Sequence, residues 1–220
     1  MDTLACQLYP PGRQWHNYIP MELRPYQVDA VNNLRKALMS KQRVILQSAT
    51  GSGKSVIFTD LAKKVVEKGN RVLILTHRAE IFSTTVKHLN NAGIKVEAIN
   101  PKNKSIDMFA QVYVAMVETF HRKNLLIPVN LLIIDEAHYN NFTKVMDKYV
   151  GVRTIGVTAT PIGKHIYKYY QEIVQTISIK QLIEQGYLTP CRAYQMQDDI
   201  SDLKKTGSDY SDDSLYAHYN

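Results

Sequence analysis

Lys54 stands between Gly53 and Ser55 in the stretch LQSATGSGKSV (residues 46–56), and two adjacent acids, Asp135 and Glu136, follow in LLIIDEAH (131–138). A loop that wraps a phosphate needs inward-pointing backbone N–H groups and no obstructing side chains. Gly51 and Gly53 meet that need between a strand and the electropositive start of a helix. Lys54 can then reach β- and γ-phosphates, and the Ser55 hydroxyl can ligate Mg2+. The usual spelling, G-x-x-x-x-G-K-[ST], would put glycine at position 48, where this chain has Ser48. Position 48 opens the loop, away from its two tight turns, so a small serine is expected to fit.

The second half of such a site must arrive on another strand. Four apolar residues, Leu131 to Ile134, carry the chain through a sheet and deliver Asp135 at its C-terminal edge, where ligands of open α/β sheets bind. Asp135 on a neighbouring strand suits Mg2+, and Glu136 is placed to polarise a water for attack on a γ-phosphate. The two halves together imply an ATP site. His138 shares no metal-ligand spacing with another His or Cys.

The elements that must position these groups alternate along the chain. Short apolar runs occur at RVILQ (43–47), RVLILT (71–76), KVEAI (95–99), QVYVAMV (111–117), NLLIIDE (130–136) and RTIGVT (153–158). Most are apolar on both faces, as buried parallel strands are. Between them, Ile57, Leu61 and Val65 recur every fourth residue, as do Ile81, Thr85 and Leu89 before a glycine stop, which predicts amphipathic helices. A further helix is predicted from LRPYQVDAVNNLRKAL, with Pro25 at its first position. The fold class is therefore α/β, a three-layer domain with a mainly parallel sheet. SIKQLIEQGYLTPC (178–191) predicts a short helix and an exit strand. Residues 1–20 read as an N-terminal arm, 21–190 as the α/β lobe, and 191–220 as a linker and the start of something cut short.

The 220 residues carry 27 basic and 20 acidic groups, net +7. From Tyr194 onward there are six Asp and two Lys, which leaves 25 basic and 14 acidic groups, +11, in residues 1–193. So basic a body suits a polyanionic partner such as nucleic acid. No apolar run approaches a membrane span, and the N-terminus lacks the pattern of a signal peptide. Cys6 and Cys191 read as two reduced thiols, and a cytoplasmic protein is expected.

In order, these motifs resemble those of superfamily two helicases and translocases of the DExH/DEAH type over roughly residues 23–190. SATGSGKS is similar to that family's motif I, which often lacks the leading glycine; DEAH (135–138) resembles motif II and TAT (158–160) motif III. LRPYQ (23–27) is similar to the adenine-reading element, LTHRAEI (75–81) to motif Ia, VET (117–119) to a strand-contacting element, and IEQGYLTPCRAY to the passage between two lobes. The subgroup most resembled is the bacterial and phage DNA-repair helicases of the RadD, UvsW and XPB kind.

The resemblance implies one RecA-like P-loop NTPase lobe, with ATP and Mg2+ as cofactors. Nucleotide would be held by Arg24, Gln27, Thr50, Gly51, Ser52, Gly53, Lys54, Ser55 and His138, and Mg2+ by Ser55 and Asp135. Glu136, Asp135 and Lys54 would act in catalysis. Gln27, able to donate and accept at once, would read the adenine edge. Thr76, His77, Arg78 and Thr119 would touch nucleic acid, with backbone N–H groups near His77, Arg78 and Ala79 on a phosphate; Lys102 and Lys104 read more readily as part of a solvated loop than as an extension of that track. Thr158 and Thr160 would couple the ATP site to a second lobe through His138. That second lobe carries the arginine fingers, so the chain by itself is expected to hydrolyse ATP slowly and not to unwind duplexes. Duplex or branched DNA is the expected partner, in a bacterial or phage-infected cell. An RNA helicase, a restriction-type motor that moves without unwinding, and a protein-translocating ATPase are the alternatives; a small-molecule kinase would need lids and acceptor sites that the sequence does not show.

Overall fold

The computed structural model describes residues 22–103, 105–190, 205–206 and 209–210. Seven strands form one sheet: β1 (Arg43–Gln47), β2 (Val72–Thr76), β3 (Val96–Ile99), β4 (Val112–Met116), β5 (Leu131–Asp135), β6 (Arg153–Thr158) and β7 (Glu172–Gln175). Their order is β3-β4-β2-β5-β6-β1-β7, and every pairing in that sheet is parallel. The helices are α1 (Pro25–Ser40), α2 (Lys54–Val66), α3 (Ala79–Asn91), α4 (Val117–Arg122), α5 (Thr143–Lys148), α6 (Lys164–Tyr169) and α7 (Ile179–Glu184).

Because side chains alternate across a strand, the apolar runs feed two separate cores. On one face Val44, Leu46, Val72, Ile74, Val112, Ile133 and Val157 pack with Leu34 of α1, Phe58 of α2 and Leu89 of α3. On the other, Ile45, Leu73, Leu75, Leu132 and Ile134 pack with Phe120 of α4, Val145 of α5 and Ile166 of α6. These are the three layers, and burying both sheet faces is why the runs lack an alternating polar face. Pro25 does open α1. On α3, Thr85 and Leu89 are buried as predicted, whereas Ile81 is only partly so.

The seventh strand, β7, was not among the predicted runs. It pairs with β1 alone at the sheet edge, and of its four residues only Val174 is buried. The predicted exit strand is corrected: after α7, residues 185–190 form a turn and no strand. Val117, expected at the end of a strand, opens α4 instead. The chain divides into two compact units after Leu188, and the second contains a short antiparallel ladder between Lys205–Thr206 and Asp209–Tyr210. The expected arm at residues 1–20, Cys6, Lys104 and Cys191 lie outside the described residues. Among the described residues no helix is long and apolar enough to cross a membrane.

Candidate active site

Three adjacent strands, β5, β6 and β1, end together, and their C-terminal edges carry Asp135, Thr158 and the glycine loop. The acid strand is thus one strand removed from the loop strand rather than its neighbour, with β6 between. The end of β6 ties both halves down: the Ser48 N–H donates to the Thr158 carbonyl (3.0 Å), and the Ala137 N–H to the Val157 carbonyl (3.0 Å).

The loop turns at Gly51 (φ +81°) and Gly53 (φ +78°), both in the left-handed region that glycine enters without a steric cost. Ser48 is fully buried and lies 2.6 Å from the Ser52 hydroxyl. Thr50 is exposed, Ser52 is buried, and Lys54 and Ser55 start α2 half-buried. Lys54 Nζ reaches across to Glu136 Oε1 at 3.3 Å. The other carboxylate oxygen, Oε2, lies 3.4 Å from His138 Nδ1. His138 Nδ1 is also 2.9 Å from Thr158 Oγ1, which accepts from the Thr160 N–H at 3.1 Å. A continuous polar line thus runs Lys54, Glu136, His138, Thr158, Thr160.

Glu136 holds φ at +53°, an uncommon conformation for a side chain of this size and one that concentrates at functional positions. Asp135 is 5% exposed, and its Oδ1 accepts from the Glu136 N–H at 3.0 Å. Burial, then the adjacent Glu136 charge, push the Asp135 carboxyl up to about 6, with Lys54 and that N–H opposing. A buried, under-compensated carboxylate within the electrostatic reach of Lys54, the residue before Ser55, has the oxygen chemistry that suits a hard divalent cation.

On the other side of the loop, Gln27 is 3% exposed and uses both ends of its amide. Its Oε1 accepts from the Arg24 N–H (2.9 Å) and its Nε2 donates to the Ser52 carbonyl (2.9 Å). Tyr26 donates its hydroxyl to that same carbonyl at 2.9 Å. The Arg24 guanidinium sits 4.5 Å from the Tyr187 ring centroid, and Tyr26 meets Tyr187 edge-on at 5.4 Å. The sequence reading missed Tyr26 and Tyr187 here; only the pattern-bearing Arg24 and Gln27 carried a signal.

The expected nucleic-acid residues separate into two kinds. His77 is half-buried and Arg78 exposed, at the β2-to-α3 junction, and Arg78 Nε donates to His77 Nε2 (3.0 Å). Burial, then the Arg78 charge, lower the His77 pKa from its ordinary value. Thr76 and Thr119 are largely buried, at 0% and 5% exposure. Lys102 is exposed.

A glycine-turned loop closing on lysine at the C-terminal edge of a parallel sheet, with Glu136 of the acid pair against that lysine, defines a RecA-like P-loop NTPase lobe. The chain belongs to the ResIII family, described as the res subunit of type III restriction enzymes, which it matches over residues 20–163. A 51.5 kDa protein of Lactococcus phage (isolate 7-9) is 28% identical over 178 residues, covering 78% of this chain and 37% of that protein. The chain spans about a third of the length of the curated relatives it matches. Two solved structures share the fold. A nuclease-deletion mutant of the Type ISP restriction-modification enzyme LlaGI, in complex with a DNA substrate mimic, matches at TM-score 0.62 and 19% identity over 76% of this chain and 21% of that one. The UvsW helicase from bacteriophage T4 matches at TM-score 0.60 and 18% identity over 70% of this chain and 60% of that one.

Proposed function

We propose that this lobe binds and hydrolyses ATP to drive movement on DNA, as residues 21–190 of a two-lobe motor. The observation that carries the reading is the Lys54–Glu136–His138–Thr158 line, which joins the phosphate loop to the acid motif and to the strand between them. Membership of the ResIII family supports it, as does the fold shared with a helicase and with a restriction enzyme held on a DNA mimic.

In this reading Lys54 leaves Glu136 for the β- and γ-phosphates, and the loop N–H groups of residues 50–55 hold the phosphate oxygens. The freed Glu136 then orients and deprotonates the attacking water. Ser55 and Asp135 would hold Mg2+, which supplies positive charge to the phosphate oxygens. Gln27 keeps one amide hydrogen and one lone pair unspent, enough to meet an adenine edge. Arg78 and the start of α3 contact a DNA phosphate. Arginine fingers would come from a second lobe, and a finger contributes roughly 10³ to 10⁵ in rate. The 220 residues by themselves therefore turn ATP over slowly and do not unwind duplexes.

ATP turnover measured with duplex DNA, single strands and RNA at two salt concentrations tests this, since phosphate contacts weaken with salt. In a chain carrying both lobes, DNA stimulates hydrolysis most, and Glu136→Gln retains ATP binding while abolishing turnover. Brisk DNA-stimulated hydrolysis by the 220 residues alone would overturn the two-lobe requirement, and stimulation by RNA alone would reassign the partner. The family match also favours a second reading, a restriction motor that translocates on duplex DNA without separating it; a strand-displacement assay decides between the two.

A further inference from the structure

We propose that Tyr139 is a positioning residue that carries the state of the ATP site to His77, an inference that rests on the nucleotide half of the function proposed above. Tyr139 directly follows the acid motif, and its ring centroid lies 4.2 Å from that of His138. The same ring lies 4.1 Å from His77, with the planes inclined at 38°. His77 sits at the end of a different strand, β2, immediately before α3. One tyrosine ring is therefore shared by a histidine bonded into the ATP site and a histidine at the start of a separate helix.

The chemistry of the neighbours gives this contact something to transmit. Glu136 is shared between Lys54 at 3.3 Å and His138 at 3.4 Å. A phosphate that takes Lys54 leaves Glu136 with His138 as its cationic or donor partner, so the imidazole must reorient or tighten. Close-packed rings cannot absorb such a move without passing it on. At the far end, His77 Nε2 already accepts from Arg78 Nε at 3.0 Å, which places the proton of a neutral ring on Nδ1. That Nδ1 is buried and has no hydrogen-bond partner among the described residues. The Tyr139 ring is thus a main restraint on the His77 ring, and through it on the exposed Arg78 guanidinium.

The test follows the histidine ring resonances of the 15N-labelled chain as the non-hydrolysable analogue AMP-PNP is added with Mg2+, with His77→Gln and His138→Gln providing assignments. Both His138 and His77 shift in the wild-type chain. Tyr139→Leu keeps the His138 shift but cuts the His77 shift several-fold. Tyr139→Phe retains both, because the contacts are ring to ring; should Leu unfold the chain, Tyr139→Met repeats the measurement. A His77 that ignores the nucleotide while His138 responds overturns the proposal, as does a His77 shift undiminished in the folded Leu or Met variant. A chain in which neither histidine moves because no nucleotide binds removes the ATP site and this proposal with it. ATP turnover with and without DNA is read separately. A His77 that responds through Tyr139 in a chain indifferent to DNA keeps the link and removes only the DNA half of the function.

Discussion

The Ser48 and Ser52 hydroxyls lie 2.6 Å apart at the root of the phosphate loop, and the bond has a defined direction. Ser52 donates its only hydroxyl proton to the Ala49 carbonyl at 2.6 Å, so Ser48 must be the donor to Ser52. Ser48 in turn accepts from Thr176 Oγ1 at 3.0 Å, just beyond β7. The residue that departs from the usual loop spelling therefore links the loop to the edge of the sheet. Ser48→Gly removes the donor to the buried Ser52 hydroxyl and loosens the backbone, at a cost of about 2 kcal/mol, while Thr176 Oγ1 keeps the Gln47 carbonyl at 3.3 Å as an acceptor. In urea unfolding, the double-mutant cycle of Ser48→Ala with Thr176→Val should give a coupling of about 0.5 kcal/mol or more. Additive effects would mean the relay contributes nothing.

Burial of the Asp135 carboxylate is costly to stability. Its folded pKa is raised to about 6, above the ordinary carboxylate value near 4. The unfolded chain therefore releases this proton first as pH rises. The group's contribution to stability falls between about pH 4 and pH 6 and stays low above that. Asp135→Asn removes this dependence while keeping an acceptor for the Glu136 N–H. The variant should be more stable at pH 7.5 by up to about 3 kcal/mol, no more stable at pH 4, and unable to hydrolyse Mg·ATP. Chemical unfolding at the two pH values checks it; a variant that gains nothing at pH 7.5 would mean that burying the carboxylate costs nothing.

How much of this was legible in the sequence follows from what each residue contacts. β1, β2, β4, β5 and β6 are buried on both faces, so each read as an unbroken apolar run, and α1, α2 and α3 are long enough to show a helical period. β7 was invisible because an edge strand with one buried residue has no apolar signature. α4, α5 and α6, with six residues each, were not read as helices, whereas α7, equally short, was. Lys54, Asp135 and Glu136 stood out in the sequence because phosphate chemistry fixes residue type and spacing, and the fold brings Lys54 and Glu136 to 3.3 Å. Tyr187, Thr176 and Tyr139 did not, because their roles arise from contacts between distant segments and no spacing rule connects them. Thr76 and Thr119 show the reverse: motif position suggested contact, while packing buries both.

Gly53 and Gln27 are locked together. A Cβ on Gly53 would fall 2.5 Å from Gln27 Nε2, and the backbone there holds φ at +78°. Gln27 cannot swing aside freely, since it is 3% exposed and bonded to both Arg24 N–H and the Ser52 carbonyl. Gly53→Ala therefore combines left-handed backbone strain of about 1–2 kcal/mol with expulsion of the Gln27 amide from the loop. If Gln27 reads the base, Gly53→Ala should weaken ATP binding and also erase the preference for ATP over GTP, although the substituted residue itself sits on the phosphate side. Gln27→Ala should erase the same preference while leaving the backbone turn unstrained. Competition of ATP and GTP against a fluorescent nucleotide, alongside thermal unfolding, separates the outcomes. Gly53→Ala that loses stability yet keeps full ATP selectivity would show that the base is read elsewhere, and Arg24 over the Tyr187 ring at 4.5 Å would be the next place to look.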